Sequence, residues 1–236
     1  MSNSYFQFKQ FRIEQQGCAM KVTTDACILG AWCPIENGVR KVLDIGAGTG
    51  LLATMLAQRS DAIIVDAVEY DAEAAEQAAE NAAASPWSGR INVIHADARS
   101  YTGAHKYDLI ITNPPFFNDS LLSDKQQKNV ARHTLSLSYA ELLCVVNANL
   151  ADDGYAAILL PVPEYERWKL LAISEGWDEV GALHVRHRDS AAVKRVVGLF
   201  SRRATSLPRN ALTIQDDGGN YSVDFKQLLG PFYLNL

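Results

Sequence analysis

The strand-like run Lys41-Val-Leu-Asp-Ile45 passes directly into Gly46-Ala-Gly-Thr-Gly50 and then into a helical pattern beginning at Leu51. Three glycines in five residues lose backbone entropy in a plain connector, but they let the chain turn sharply and let a ligand approach where a Cβ would collide. The segment therefore predicts a buried strand, a ligand-binding loop and a helix. The same rhythm continues in the strands Ala62–Val68, Ile91–His95, Tyr107–Thr112 and Tyr155–Leu160, and in the helices Asp71–Ala84, Tyr139–Leu150 and Glu164–Glu175, the last ending at Gly176. Strands alternating with helices predict an α/β fold with a mostly parallel sheet covered by helices.

Two regions depart from this rhythm. His184–Arg188 and Val193–Phe200 flank the short connection Asp189–Ala192, which predicts an antiparallel pair. Near the start, Phe6–Ile13 alternates like a strand and Gly17 turns it into Cys18–Val22, predicting a small hairpin. Thr23-Thr-Asp25 supplies capping side chains for a helix over Ala26–Trp32 that Pro34 closes. No repeat or linker interrupts the chain, so it reads as one domain: residues 1–38 form the hairpin and first helix, and 39–236 the sheet-bearing core.

Composition narrows the class. With 48% apolar residues and average Gly and Pro among 236, the chain is a globular sequence rather than a disordered or low-complexity one. Cys18, Cys27, Cys33 and Cys144 form no C-x-x-C pair and have no histidine at zinc-like spacing, so neither a disulfide scaffold nor a metal is implied. The longest apolar runs, such as Ala156–Leu160, fall far short of the roughly 20 residues of a membrane-spanning helix, and the start lacks the features of a secretory leader. Cytoplasmic residence without membrane attachment is the expectation. The net charge of −5 gives no global pull on phosphate, so any nucleic-acid surface has to be local.

The glycine loop departs from a dinucleotide fingerprint. Counted from Gly46, the sixth position of G-x-G-x-x-G is Leu51, and Asp44 just ahead of the loop would repel a diphosphate. An acid there suits a cation. S-adenosylmethionine offers a sulfonium, an amino group and a ribose, and carries no phosphate. Glu69 ends the second strand, where a carboxylate can accept both ribose hydroxyls, and Asp97 follows the third, where it can accept the adenine amine. Tyr70 and Ala98, their chain neighbours, join the candidate cofactor site.

Through Asp44–Gly50, Glu69, Asp97 and Asn113-Pro-Pro-Phe116, the stretch from Val42 to Leu160 resembles the class I S-adenosylmethionine-dependent methyltransferases. The resemblance implies a Rossmann-like, seven-stranded sheet with one antiparallel strand. Asn113-Pro114-Pro115-Phe116 follows a strand and so shares an edge with the glycine loop. Its prolines fix φ, so the Asn113 side-chain oxygen and the Pro114 carbonyl are two rigid acceptors. An exocyclic amine conjugated to a ring is a poor nucleophile. Two acceptors on its hydrogens favour a pyramidal nitrogen and stabilise the charge that grows there, while Phe116 can stack on the ring. In the methyltransferases this pattern marks transfer to planar nitrogens: adenine N6, cytosine N4, guanine N2 or protein glutamine.

Over almost its whole length the chain is similar to the bacterial tRNA (adenine-N6)-methyltransferases that act beside the anticodon of a valine tRNA. The likeness rests on Phe8–Phe11, Cys18–Val22, Thr24-Asp25, Leu29–Trp32, Leu43–Gly50, Ser85-Pro-Trp87, Asn113–Phe116 and the tail Asn220-Tyr221 to Phe232-Tyr233. It adds Thr24 and Asp25 to the cofactor site, although helix capping explains them equally well. Charge layout independently favours RNA. Between Leu183 and Arg209 stand seven basic residues, Arg186, Arg188, Lys194, Arg195, Arg202, Arg203 and Arg209, against the single acid Asp189, while Lys125, Lys128, Arg132 and His133 follow the Asn-Pro-Pro-Phe loop. Such residues can hold phosphates around an extruded base. Protein glutamine methylation and ribosomal RNA methylation share the Asn113 chemistry and stay open. A nucleotide-dependent oxidoreductase is disfavoured by Asp44 and Leu51, and a non-catalytic RNA-binding module leaves the glycine loop without a purpose. No obligatory protein partner is implied.

Overall fold

The computed structural model describes residues 3–35, 38–115, 137–203 and 205–236. Among the described residues, ten strands and six helices follow in chain order: β1 (Tyr5–Gln7), β2 (Arg12–Glu14), α1 (Thr24–Trp32), β3 (Lys41–Ile45), α2 (Leu51–Arg59), β4 (Ile64–Glu69), α3 (Ala72–Ala84), β5 (Ile91–His95), β6 (Tyr107–Thr112), α4 (Tyr139–Asn149), β7 (Leu150–Pro161), α5 (Val162–Ser174), β8 (Asp178–Arg188), β9 (Val193–Ser201), β10 (Arg209–Gln215) and α6 (Val223–Leu229). One-turn 3-10 helices stand at Ser88–Arg90 and Ala98–Ser100.

β3 to β10 form one sheet in the order β10-β8-β9-β7-β6-β3-β4-β5. Every neighbouring pair is parallel except those that β9 makes with β7 and β8. The fold is therefore the expected Rossmann-like methyltransferase arrangement with one reversed strand, enlarged by an eighth strand. That strand is β10, which adds to β8 in parallel register from Arg209↔Ala182 to Gln215↔Arg188. In it Leu212 alone is buried, as suits an edge strand with one covered position and a polar outer face.

The central strands are apolar on both sides because both sides are covered. Val42, Leu109, Ile111 and Ala157 pack with α1, α2 and the N-terminal segment, whereas Leu43, Ile45, Ile110 and Ile158 pack with Leu142, Val146 and Trp168 of α4 and α5. The N-terminal hairpin forms between β1 and β2, which pair from Tyr5↔Glu14 to Gln7↔Arg12, and so it turns earlier than the period-two pattern of Phe6–Ile13 implies. Phe8 N–H donates to Phe11 O at 2.9 Å, and the two rings stack at 4.4 Å inside the core, so the turn itself keeps apolar side chains inward. The chain's end covers this hairpin: Lys9 N–H donates to Phe232 O at 2.8 Å, and Phe232 is buried.

Candidate active site

Parallel strands bring their carboxyl ends to one sheet edge, where a ligand can meet several loops at once. Ile45, Glu69, His95 and Thr112 end β3, β4, β5 and β6 on that edge, so the glycine loop, Glu69, Asp97 and Asn113 are neighbours in space. The loop is shaped by left-handed backbone. Gly46, Gly48 and Gly50 have φ of 73°, 55° and 75°, and nothing lies within 4 Å of where a Cβ on Gly46 or Gly48 would stand. An L side chain is strained there, and the open side is where a ligand can touch backbone. Gly46 and Ala47 N–H both donate to Val68 O, at 2.9 and 3.1 Å, while Gly48 N–H donates to Glu69 Oε2 at 2.8 Å. Glu69 Oε1 accepts the Asp71 amide at 2.9 Å. Glu69 is thus fixed by backbone on both oxygens and retains lone pairs for further donors.

Asp44 is fully buried, and neither carboxylate oxygen has a hydrogen-bond partner. Burial pushes its pKa up to about 7; the Ala53 amide, near the carboxylate but outside hydrogen-bond geometry, opposes the rise, and the Glu69 charge adds to it. Asp44 pairs with Ile111 in register and Ile45 with Thr112, so Asn113 begins on the adjoining strand end. Its Oδ1 is also buried without a partner. Two orphaned acceptors beside an open glycine cradle need donors or positive charge, which an amino-acid-bearing sulfonium nucleoside carries. The residues present fit that cofactor.

Other expected residues are placed less simply. Asp97 caps the 3-10 turn and is gripped by Arg99, whose Nε and Nη2 donate at 2.9 and 2.6 Å to Oδ2. The fork from Arg99 draws the Asp97 pKa below its ordinary value. Ala98 is buried, and Tyr70 is exposed with its carbonyl 3.1 Å from His95 Nε2. Thr23 caps α1, accepting from Ala26 N–H at 3.2 Å, with Thr24 next along the chain. Asp25 pairs with Arg195 Nε at 2.9 Å.

The basic run divides. β9 is reversed, so the 189–192 tip between β8 and β9 lies on the glycine-loop edge and carries Arg186, Arg188, Lys194 and Arg195 with it. Arg202, Arg203 and Arg209 sit at the opposite edge, where Arg209 binds Glu179 and Arg203 stands 3.8 Å from Asp153. Phe116, Lys125, Lys128, Arg132 and His133 lie outside the described residues.

Sequence reasoning overlooked Arg99 and two amides of α3, Gln77 and Asn81. Both amides fall on the same helical face as the buried Ala74, Ala78 and Ala82, and a polar side chain on an apolar stripe was the available signal. Asn81 Nδ2 donates to Thr49 O of the glycine loop at 2.9 Å.

Comparison with known proteins agrees with this geometry. Residues 34–158 match the methyltransferase small domain family. The chain is 43% identical over 238 residues to the tRNA1(Val) (adenine(37)-N6)-methyltransferase of Dyadobacter fermentans, covering 98% of each chain. It is 41% identical to the enzyme of that name from Bacteroides fragilis, covering both chains completely. Among solved structures it resembles a predicted O-methyltransferase from Agrobacterium tumefaciens, with a TM-score of 0.67 and 18% identity over 90% of this chain and 100% of that one. A SAM-dependent methyltransferase from Thiobacillus denitrificans, in complex with S-adenosyl-L-homocysteine, shares the fold with a TM-score of 0.50 and 18% identity over 68% and 66% of the two chains. With an open glycine cradle, two orphaned acceptors and a full-length match of this kind, the chain belongs to the methyltransferase small domain family and, within it, to the tRNA1(Val) (adenine(37)-N6)-methyltransferases.

Proposed function

We propose that this protein methylates the exocyclic N6 amine of adenine 37 in tRNA1(Val), with S-adenosylmethionine as methyl donor. The observation that carries the reading is the buried, unpartnered Asn113 Oδ1 on the edge shared with the glycine loop. When bound, the cofactor supplies an electrophilic methyl group on a sulfonium. Gly46, Gly48 and Gly50 leave backbone open to it, Glu69 accepts from its ribose, and Asp44 supplies negative charge. Asp25, tied to Arg195 at that edge, with Thr24 beside it in the chain, and Tyr70, next after Glu69, complete the cofactor residues of this reading. Asp97, joined by Ala98, would take the adenine amine of the cofactor, which requires the exposed Arg99 to release a carboxylate whose two oxygens its guanidinium now occupies.

Asn113 Oδ1 and the Pro114 carbonyl accept the two hydrogens of the target amine. They would draw the nitrogen lone pair out of conjugation and stabilise the charge that builds as the N–C bond forms and the methyl–sulfur bond breaks, with S-adenosylhomocysteine as the neutral leaving group. One amine proton then leaves to solvent, so no strong base is required. Phe116 stacks on the target base and aligns it for in-line attack.

Arg186, Arg188 and Lys194 at the β8–β9 tip, with Lys125, Lys128, Arg132 and His133, bind phosphates of the tRNA, and Arg195 ties the tip to Asp25. Such a surface favours RNA over a protein glutamine. The chain acts as one domain, with residues 1–38 as a cap on the 39–236 core. The cytoplasm, where tRNA is modified, is its place of action, and no described helix is long and apolar enough to cross a membrane. Transfer of labelled methyl to unmodified total tRNA, followed by nucleoside mapping, tests the reading. Label as N6-methyladenosine at position 37 of tRNA1(Val) supports it; label confined to protein or ribosomal RNA overturns the substrate and keeps the Asn113 chemistry.

A further inference from the structure

Helix α3 holds two other parts of the molecule at once. Asn81 is 2% exposed, and its amide makes three hydrogen bonds. Oδ1 accepts from Glu14 N–H at 2.9 Å, while Nδ2 donates to Glu14 O at 2.8 Å and to Thr49 O at 2.9 Å. The side chain therefore reads both backbone groups of one residue in β2, as a neighbouring strand would, and uses its remaining donor on the glycine loop. One turn earlier, Gln77 Oε1 accepts from Gly17 N–H at 3.4 Å. Both contacts need close approach. A Cβ on Gly17 would stand 3.3 Å from Glu73 O, and one on Gly50 would stand 3.4 Å from Ala78.

Gln15 ties the gripped N-terminal segment together. Gln15 N–H donates to Ser4 O at 2.9 Å, its Nε2 donates to Asn3 O at 2.9 Å, its Oε1 accepts from Val22 N–H at 2.8 Å, and Lys21 donates to its carbonyl. Residues 3–22 thus form a small knot. The knot lies beside the cofactor's acid: burial pushes the Cys18 thiol up to about 11, and the charge of Glu69 adds to that rise.

We propose that Asn81 is a positioning residue that clasps the N-terminal knot to the glycine loop, so that order in residues 3–22 and affinity for the cofactor are thermodynamically linked. The inference rests on the methyltransferase reading for the identity of the ligand, while the clasp itself rests on the hydrogen bonds. A ligand that orders the loop then also orders the knot, and by reciprocity loosening the knot weakens the ligand. Asn81→Ala removes all three bonds, Asn81→Asp keeps the shape and the acceptor but loses both donations, and Gln77→Leu loses the weaker Gly17 contact together with the donation from Gln77 Nε2 to Glu80 Oε2 on the same helix.

Amide hydrogen exchange of the ligand-free full chain tests the clasp, and calorimetric titration with S-adenosylhomocysteine tests the linkage. Asn81→Ala and Asn81→Asp are expected to speed exchange in both 14–22 and 46–50, and to weaken S-adenosylhomocysteine by about 10-fold through lost preorganisation of the loop. Gln77→Leu does the same to a smaller extent, about 3-fold by the same argument, and keeps the test alive should an Asn81 variant fail to fold. In the native chain S-adenosylhomocysteine slows exchange in 14–22, and the Asn81 variants lose that response. Faster exchange in only one of the two segments, or unchanged affinity in a folded variant, overturns the clasp. A native chain that takes up no S-adenosylhomocysteine, yet shows coupled exchange, overturns the cofactor reading and supports the clasp.

Discussion

Replacing Asn113 by alanine separates catalysis from stability, because the two depend on this side chain in opposite ways. Its Oδ1 is buried with no partner, so the folded chain carries the desolvation of an acceptor without a compensating hydrogen bond there. Deleting such a group relieves about 1–3 kcal/mol, against which stand the lost packing and the gap left by truncation. The two terms oppose each other. With a net change under about 1 kcal/mol, Tm moves by less than about 4 °C in a chain of this size. In the proposed mechanism the same oxygen faces a nitrogen becoming cationic, and losing one preorganised partner of that kind would lower kcat by about 100- to 1000-fold. Single-turnover transfer to unmodified tRNA, the S-adenosylhomocysteine Kd and a melting curve read the three quantities in one preparation. The expected result is the loss in kcat, a Kd within about threefold of native and an unmoved Tm. A kcat within about fivefold of native refutes the catalytic role, and a collapse of cooperative melting together with activity refutes the claim that Asn113 is dispensable for folding.

Three further outcomes follow from charge. The raised pKa of Asp44 means that the folded chain holds a proton that the unfolded chain releases above 3.8, so stability falls as pH rises from there through about 7. Asp44→Asn removes this dependence, and denaturant titration should find it more stable than native by about 4 kcal/mol at pH 8, the difference vanishing near pH 4. Glu179 has the opposite sign. Burial alone would raise it, but Lys169, Tyr165 and Arg209 outweigh burial and hold it near 2, so its contribution is complete above 4.5 and is lost as pH falls through 2. Glu179→Gln should then lower stability by about 3 kcal/mol at pH 7, with the gap closing as the denaturant series moves toward pH 2. The double change Arg188→Ala with Lys194→Ala should weaken tRNA binding and reduce the slope of log K against log salt by about 1.4, while leaving S-adenosylhomocysteine affinity unchanged.

What was legible in the sequence was local. β3, β5 and β6 begin and end where their apolar runs do, and Thr23 and Asp71 cap α1 and α3 through their own side chains. β7 begins earlier than its predicted span through the pairing of Leu150 with Tyr107, and β8 begins earlier because β9 pairs with it from Asp178↔Ser201. β10 was illegible because it gains its place from β8, some 27 residues earlier at Leu212↔Val185, rather than from an apolar alternation of its own. α6 is short and only Phe225 and Leu229 of it are buried. Around the candidate site, residue types and chain order predicted that the glycine loop, Glu69 and Asn113 share one sheet edge, and they do, since strand ends fix where such residues go. They could not reveal that Arg99 occupies Asp97 or that Asp25 binds a residue 170 positions away, because side-chain pairing is settled by three-dimensional proximity.

The reversal of β9 also decides where this molecule can lengthen. A helix-bearing crossover would have consumed a long connection, whereas the turn over 189–192 is short and stands free of the central layers. It is anchored at its base, where Asp189 accepts from Thr213 Oγ1 and Ser190 donates to Asp217, both at 2.8 Å. Doubling the length of such a turn adds only about 0.6 kcal/mol of closure entropy. Extra residues inserted there would extend from the edge that holds the glycine loop and Asn113 and leave the strands in register. Variation in this turn would accordingly alter what the protein presents on that edge while the strands and the glycine loop stay as they are.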